Sequence, residues 1–477
     1  MSFGGLLLSP FTWAQSGFTI VQHGPSMVTP RMDHMINTNA NGEVILFGGH
    51  TFNFAIEGTG NYYDTTLQQW QSFPMQSTHD MGGFSILPDG KWLVFGGCSS
   101  NSGVGQLATA EIFDPITKTS SLTGQMSIAR TNCRGATLTD GKVLVVGNWY
   151  NSASTADIYD PGTGTFTATG NVVSPRSHAH VFPTDDGGAV VIGGVNEYGS
   201  VRYESIEYYA PSTDSFSLLH ANLIPDSSGY LSSSSGTYPP SSLQLADGRY
   251  IFIAYKQVNG GNRYRVVSFD PATKQTAMIE TNPPLPVYSN LPGDSVAFSG
   301  ELVVDKKRNL IHLLGVTPKS TTPQLGLFTI DVDKEELIIP QQLVPTNYYI
   351  GYSLPILMHN GDIMLTGGSH NANFGAHDSV MVIRPTYKVP TGHPETPVVS
   401  LELFPNPAQT AISIALPTGA PSVEGFIVDV LGRQWAAYTG SSDGVWRLSV
   451  VDWPAGWYQV VLFDQHQKRY TKAFIKQ

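Results

Sequence analysis

Short apolar runs that end in glycine recur along the chain at a nearly constant distance. In the clearest copies the run leads into Gly-Gly or Gly-Asn, and these copies occupy residues 44–49, 92–97, 143–148, 190–194 and 363–368. The first glycines of four copies, Gly48, Gly96, Gly147 and Gly193, are separated by 48, 51 and 46 residues. A repeat of this period is typical of an array of equivalent structural modules.

Each module predicts four antiparallel strands. A tight-turn pair such as Asn41-Gly42 precedes the apolar run, which makes the run the second strand of a hairpin. After the glycines, a loop leads to a third strand that ends in an aromatic residue and an aspartate, as at Tyr159-Asp160, and a fourth strand begins near Phe166. Four consecutive antiparallel strands form one blade of a β-propeller.

The spacing predicts seven blades. The 174 residues from Gly193 to Gly367 hold three more intervals, and two degenerate modules lie there with apolar runs at 250–254 and 309–315. The last module has a third strand at 380–385 and no clear fourth strand. We expect residues 18–21 to supply that strand and to close the ring, because an open ring would leave an exposed sheet edge.

The first module carries Gly48, Gly49, Tyr63 and Trp70, and this combination resembles the signature of the kelch family. The resemblance covers residues 17–387. It implies an all-β fold, a seven-bladed kelch-type propeller of the galactose oxidase-like kind, followed here by a small β-sandwich.

Composition and charge narrow the function classes. Charged residues make up 13% of the chain, with 49 Gly and 32 Pro, as expected for a turn-rich β protein. The net charge is -11 without long runs of one sign, which argues against nucleic acid as a partner. No transmembrane segment is expected, because no apolar stretch reaches about 20 residues. Residues 1–14 resemble the back half of a secretory signal, and an ordinary chain start is the alternative.

A second domain is expected at 401–477, after a linker at 388–400 that is rich in proline and threonine. Three segments of this domain, 403–408, 428–433 and 453–458, resemble the type IX secretion C-terminal sorting domain. The resemblance implies the type IX secretion machinery as a partner and a location outside a diderm bacterium, secreted or on its outer surface. An ordinary adhesive sandwich is the alternative.

Basic and aromatic side chains are expected around one mouth of the propeller channel. They lie where inner strands begin, and the candidates are Arg31, His34, His79, Arg130, Arg134, Arg176, His178, Tyr238 and Tyr352. Such a ring suits an anionic or sugar-like ligand, since arginine is a planar donor and tyrosine offers a stacking face. The sequence therefore predicts a glycan- or protein-binding module without a cofactor. Pairing of these side chains with one another and with channel water is the alternative.

Enzymatic alternatives are weaker. Cys98 and Cys133 form either one disulfide or two buried free thiols. A copper radical oxidase of the galactose oxidase kind would use tyrosine, histidine and cysteine, and His50, His370 and His377 follow glycine pairs, but no tyrosine is followed by histidine as that family requires. A sugar mutarotase is a further alternative on the same propeller. No hydrolase motif is present.

Overall fold

The computed structural model of the 477-residue chain is all-β. It describes residues 15–51, 55–99, 105–150, 154–225, 227–233, 238–258, 261–281, 285, 287–289, 297–316, 324–340, 344–345, 353–368, 376–387, 399–416, 423–429, 434–440, 444–453, 456–464 and 469–476. The chain divides into two compact units, Met1–Lys388 and Val389–Gln477. The predicted signal segment 1–14 and residues 388–398 of the predicted linker lie outside the described residues.

The described part of the first unit forms seven propeller blades of four antiparallel strands. Blade one holds Met35–Thr38, Val44–Phe47, Thr59–Asp64 and Gln69–Pro74, and blade two holds Gly83–Ile86, Trp92–Phe95, Ala110–Asp114 and Thr119–Leu122. Blade three holds Arg134–Thr137, Val143–Val146, Thr155–Asp160 and Thr165–Asn171, and blade four holds His180–Pro183, Ala189–Ile192, Ile206–Ala210 and Ser215–His220. A short 3-10 helix spans Glu197–Gly199. These blades match the four-strand pattern expected from the sequence.

Blades five and six are the degenerate pair, and each carries one additional short strand. Their strands are Leu231–Ser233, Tyr250–Val258, Gly261–Phe269 and Thr276–Met278, with Val287–Ser289; and Ala297–Asp305, Leu310–Val316, Gln324–Asp331 and Glu336–Pro340, with Val344–Pro345. Blade five also contains a 3-10 helix at Pro240–Leu243.

Blade seven closes the ring with both ends of the first unit. Its first three strands are Leu354–Leu357, Ile363–Thr366 and Val380–Tyr387, and its fourth is the N-terminal strand Gln15–His23. That strand runs antiparallel to the third, with Ile20 opposite Ile383. The expected closure by residues 18–21 is therefore confirmed.

The second strand of blades one to four is apolar along its whole length because adjacent blades cover both of its faces. In blade one, all four residues of Val44–Phe47 are buried. The Phe47 ring meets Phe84 and Trp92 of blade two at centroid distances of 5.4 and 6.0 Å. Aromatic contacts of this kind stabilise the junction between blades.

The glycine pair that ends the second strand is required by close backbone approach. Gly48 and Gly49 have φ of 67° and 78°, in the left-handed region that favours glycine. A Cβ on Gly49 would lie 2.5 Å from the carbonyl oxygen of Met32, and one on Gly48 would lie 2.7 Å from that of His79. The pair therefore lets the start of blade two pack against the top of blade one.

A segment of blade five crosses the central channel. The Tyr238 hydroxyl donates to the carbonyl of Pro355 in the inner strand of blade seven, at 2.9 Å. The Ser242 hydroxyl donates to Asn37 in the inner strand of blade one, at 3.3 Å. Residues 238–243, which we call the channel plug, thus join blade five to blades on the other side of the axis. Nothing in the sequence repeat predicted it.

The second unit is a β-sandwich. Its larger sheet holds, in spatial order, Val399–Ser400, Arg469–Lys476, Gly456–Asp464, Val423–Asp429 and Gln434–Gly440; its smaller sheet holds Glu402–Phe404, Ala411–Ala415 and Val445–Ser449. Ile412 and Ile414 of the small sheet pack with Ile427 and Val460 of the large one. In the described parts of both units, no helix has the length and apolarity needed to span a membrane.

Candidate functional site

Four of the predicted ligand residues repeat one buried interaction. Arg31, His79, Arg130 and Arg176 begin blades one to four, and each contacts the carbonyl of the first glycine in its own blade. The donor and acceptor atoms are Arg31 Nη1 and Gly48 O at 2.8 Å, His79 Nδ1 and Gly96 O at 2.6 Å, Arg130 Nη1 and Gly147 O at 3.4 Å, and Arg176 Nη1 and Gly193 O at 2.8 Å. We call these four residues the blade anchors.

Three of the blade anchors also pair with a buried acid on the third strand of the same blade. His79 Nε2 lies 2.7 Å from Glu111, Arg130 Nη2 lies 2.8 Å from Asp157, and Arg176 Nη2 pairs with Glu207. Both partners of His79 are acceptors. Burial opposes ionisation of Glu111, but the hydrogen bond and charge of His79, together with hydrogen bonds from Ser120 and the Gln76 backbone, outweigh burial and lower the pKa of Glu111.

Blade one has Asn61 at the position of the acid, and its anchor uses other partners. Arg31 Nη1 donates to the carbonyl of Thr59 at 2.9 Å, and Nη2 donates to the Thr29 hydroxyl at 2.5 Å. Burial lowers the pKa of Arg31 to about 10, opposed by the charge of Glu57.

The blade anchors therefore point away from the channel. Their glycine and acidic partners lie at the end of the second strand or on the third strand, outside the innermost strand, and no anchor is more than 1% exposed. The sequence predicts Arg31, Arg130 and Arg176 around the channel mouth as ligand donors. The structure instead gives them a role inside the blades, where a buried cation needs an internal partner.

The residue two positions after each anchor has an unusual backbone. Asp33, Met81, Asn132 and His178 have φ of 54°, 54°, 50° and 54°, in the left-handed region that residues other than glycine seldom occupy. The backbone N–H of Asn132 donates to the backbone carbonyl of Met81 at 2.7 Å, and the backbone N–H of His178 donates to the backbone carbonyl of Asn132 at 3.1 Å. These bonds link consecutive blades. We call the four residues the mouth ring.

The mouth ring has the features of a binding site. Asp33, Met81 and His178 are partly exposed, whereas the anchors beside them are buried. The Trp149 ring, also partly exposed, meets the His178 ring edge to face at 5.1 Å. Non-glycine residues held in left-handed conformations cluster at functional sites, because the surrounding structure must enforce them.

His178 and His34 are held neutral by their surroundings. Burial, followed by the charges of Arg134 and Arg202, lowers the pKa of His178 to about 3. Burial, then Arg31 and His377, lowers the pKa of His34 to about 3. His34 is 1% exposed and its Nε2 contacts the Thr366 hydroxyl at 2.9 Å, so it belongs to the junction of blades one and seven.

A group of titratable side chains lies beneath Asp33. His50 Nδ1 is 3.1 Å from Asp80 Oδ1, and His50 Nε2 is 3.9 Å from Asp33 Oδ2. The Cys98 thiol donates to the other oxygen of Asp80 at 3.5 Å. Burial raises the pKa of Asp33 to about 6; the charges of His50 and Arg134 act against this rise and that of Asp80 adds to it.

Below the mouth, Arg134 and Tyr238 line a small cavity of about 40 Å³ together with His180 and Glu301. The volume suits about three water molecules, since one water needs roughly 10–15 Å³ of this space. A sugar ring does not fit there. Tyr238, Pro240 and Leu243 of the channel plug form part of the cavity wall.

Tyr352 lies outside the described residues, so its predicted role stays a prediction. Cys98 and Cys133 are both buried and free, which corresponds to the free-thiol alternative and not to the disulfide. Burial raises the pKa of the Cys133 thiol to about 11, although Arg130 and Arg134 act against the rise.

Sequence reasoning missed the mouth ring except for His178. Its members share no residue type, and the signal that identifies them is their constant position two residues after the anchor. Asp and Asn tolerate left-handed backbone better than most residues, but Met81 does not belong to that group.

Comparisons with known proteins support the fold. No protein-family model matches the chain, and no curated protein matches it. A solved structure described as a fungal alcohol oxidase of the AA5 family, in complex with copper, is similar over 96% of this chain and 100% of that chain, with a TM-score of 0.52 and 15% identity. A likeness at this identity shows a shared galactose oxidase-like propeller fold.

Within the described residues, no three His, Cys, Asp or Glu side chains are grouped so that they can hold a metal ion; tyrosine, which a copper radical centre also uses, is not among these residue types. The Cys98 thiol donates to the Asp80 carboxylate. His370, one of the histidines considered for copper, lies outside the described residues.

Proposed function

We propose that this propeller is an extracellular binding module whose ligands are glycans and whose binding site is the mouth ring with Trp149. The observation that carries the proposal is the repeated left-handed backbone of Asp33, Met81, Asn132 and His178. Four consecutive blades hold a strained backbone at the same position, where the side chains of Asp33, Met81 and His178 are partly exposed and Asn132 is 9% exposed.

The side-chain chemistry supports a hydroxyl-bearing ligand. Asp33 offers acceptor oxygens, and a neutral His178 offers its Nε2, because its Nδ1 contacts the Ser177 hydroxyl at 3.0 Å. Asn132 offers its amide oxygen, since its Nδ2 donates to the Met81 sulfur. Trp149 adds an aromatic face against which the apolar side of a sugar ring can stack. The arginines that would favour an anionic ligand are buried in the blades.

A glycan array tests this function. We expect the full chain to retain a defined subset of glycans without chemical change to them. Trp149→Ala should lose most of that signal, whereas Leu122→Ala, which truncates a side chain 60% exposed on the outer strand of blade two, should keep it. Retention of no glycan by the folded chain would contradict the proposal.

We further propose that residues 401–477 direct export by type IX secretion and that the protein acts in the medium or on the outer cell surface. Three ordered segments that resemble the sorting domain, together with a separate compact C-terminal sandwich, support this. In a bacterium with the pathway, the full chain should reach the surface or medium, and a chain that ends at residue 400 should stay in the cell. Equal export of both would contradict it.

A copper alcohol oxidase is the second candidate, and the structural neighbour favours it. The neighbour was solved with copper, and the shared fold covers nearly all of both chains. Copper loading followed by metal analysis and a peroxide assay with primary alcohols separates the candidates. One tightly bound copper with peroxide release would support the oxidase, and a metal-free protein that retains glycans would support the binding module.

A further inference from the structure

Asp33, the carboxylate of the mouth ring, is linked to two buried groups beneath it. The imidazole of His50 lies between two carboxylates and meets each through a different nitrogen, at 3.1 Å from Asp80 and 3.9 Å from Asp33. The His50 side chain is 1% exposed and that of Asp80 is 4% exposed, whereas that of Asp33 is 28% exposed. Asp33 is therefore the member of this trio that meets solvent and ligand.

Arg134, the other cation that faces Asp33, also interacts with a second carboxylate. Arg134, on the inner strand of blade three, interacts electrostatically with both Asp33 and Glu301, and its Nη1 donates to the Cys133 carbonyl at 2.9 Å. The Cys98 thiol donates a hydrogen bond to the second carboxylate oxygen of Asp80. Thus Asp33 shares one imidazole with Asp80 and one guanidinium with Glu301, and it has no cation of its own among these groups.

We propose that ligand binding at the mouth ring is proton-linked: Asp33 takes up and releases a proton under the joint control of His50 and Asp80, and so presents either a carboxylate or a carboxylic acid to the ligand. This inference rests on the proposed function of the mouth ring. A carboxylate only accepts hydrogen bonds, whereas a carboxylic acid also donates one, so a sugar hydroxyl meets two different partners.

The electrostatic environment agrees with this geometry. Burial raises the pKa of Asp33 to about 6, which places its titration in the range that extracellular fluids cover. Burial opposes the charged form of His50, but the hydrogen bond and charge of Asp80, and then the charge of Asp33, outweigh it and raise the pKa of His50. Both carboxylates therefore favour the protonated form of His50.

Carbon-13 NMR of aspartate-labelled full chain, with Asp33→Asn used for assignment, tests the coupling. We expect the Asp33 carboxyl to titrate near pH 6. His50→Gln removes a cation and should raise the midpoint, whereas Asp80→Asn removes an anion and should lower it. Asp89→Asn, at an exposed turn carboxylate, is the control and should leave it unchanged. An Asp33 midpoint near the ordinary value of about 4, or one that neither variant moves, would overturn the proposal.

The same glycan array, read at about pH 5 and about pH 7.5, tests the link to binding. The wild-type signal should change several-fold between the two pH values. Asp33→Asn should remove most of this change. The variant keeps a residue that tolerates left-handed backbone, and it leaves His50 and Asp80 unmutated. Wild-type binding that is equal at both values would overturn this inference and leave the proposed function standing. A folded chain that retains no glycan at either value would overturn both.

Discussion

The guanidinium of Arg130 and the carboxylate of Asp157 meet at 2.8 Å, and both side chains are fully buried. The pair joins the start of the inner strand of blade three to its third strand. A basic and an acidic side chain pair in the same way at His79 with Glu111 and at Arg176 with Glu207, so three consecutive blades contain such a buried pair.

Asp157→Asn is expected to destabilise the fold by about 3 kcal/mol, because removal of one partner leaves a buried charge without compensation. Asp89→Asn, which breaks the exposed pair with Lys91, should cost less than about 1 kcal/mol. Urea unfolding of the two variants and the wild type measures both values. Equal, small losses would show that the buried pair does not support the blade.

Tyr238→Phe is expected to lower the free energy of unfolding by about 1 kcal/mol or somewhat more. The substitution removes the hydroxyl that donates to the Pro355 carbonyl across the channel and keeps the ring. Thermal unfolding measures the effect. Unchanged stability would mean that the contact of the channel plug with blade seven contributes nothing.

Acid should weaken the fold through His312. Burial lowers the pKa of this residue to about 4, opposed by Asp305 and supported by Arg308, whereas the unfolded chain has an ordinary value. The unfolded state then binds more protons between the two values, so the contribution of His312 to stability is present above about pH 6.5 and is lost as pH falls towards 4.

At about pH 5, protonation of His312 in the unfolded state lowers the free energy of unfolding by about 2 kcal/mol. His312→Gln cannot titrate, so the difference in stability between wild type and variant should shift against the wild type by that amount between about pH 7.5 and 5. Urea midpoints at the two values provide the measurement. A difference that stays constant with pH would contradict the assignment.

The two cysteines should react only after unfolding. Both are buried and free, and the raised pKa of Cys133 keeps its thiol protonated at neutral pH. Intact mass after alkylation should show no adduct on the native chain and two on the unfolded chain. A mass lower by two hydrogens, with no alkylation after unfolding, would show the disulfide instead.

The fold could be predicted from the sequence because its determinants are local. Tight turns and largely apolar second strands followed by glycine recur in blades one to four and seven, and the unpaired third strand of blade seven pointed to residues 18–21 as its partner. The sandwich strands at 434–440 and 469–476 were not predicted, although the sequence signal for a turn at Leu431-Gly432-Arg433 directly precedes the first of them.

The site could be predicted only in part. The sequence predicted where the inner strands begin. Whether the Arg130 side chain points into the channel or towards Asp157 depends on how two strands align, and these two residues are 27 positions apart. A left-handed backbone at Met81 has no signature in residue type, and the channel plug lies in a degenerate blade where the repeat is weakest.

The affinity of Asn132→Gly for the glycan that gives the strongest array signal is the most direct test of the mouth ring. Glycine removes the side chain and accepts the left-handed backbone, and Gln68→Gly makes the same change at an exposed turn between the third and fourth strands of blade one. By calorimetry, we expect Asn132→Gly to weaken binding by about tenfold or more and Gln68→Gly to leave it unchanged. Equal affinities of both variants and the wild type would contradict the account.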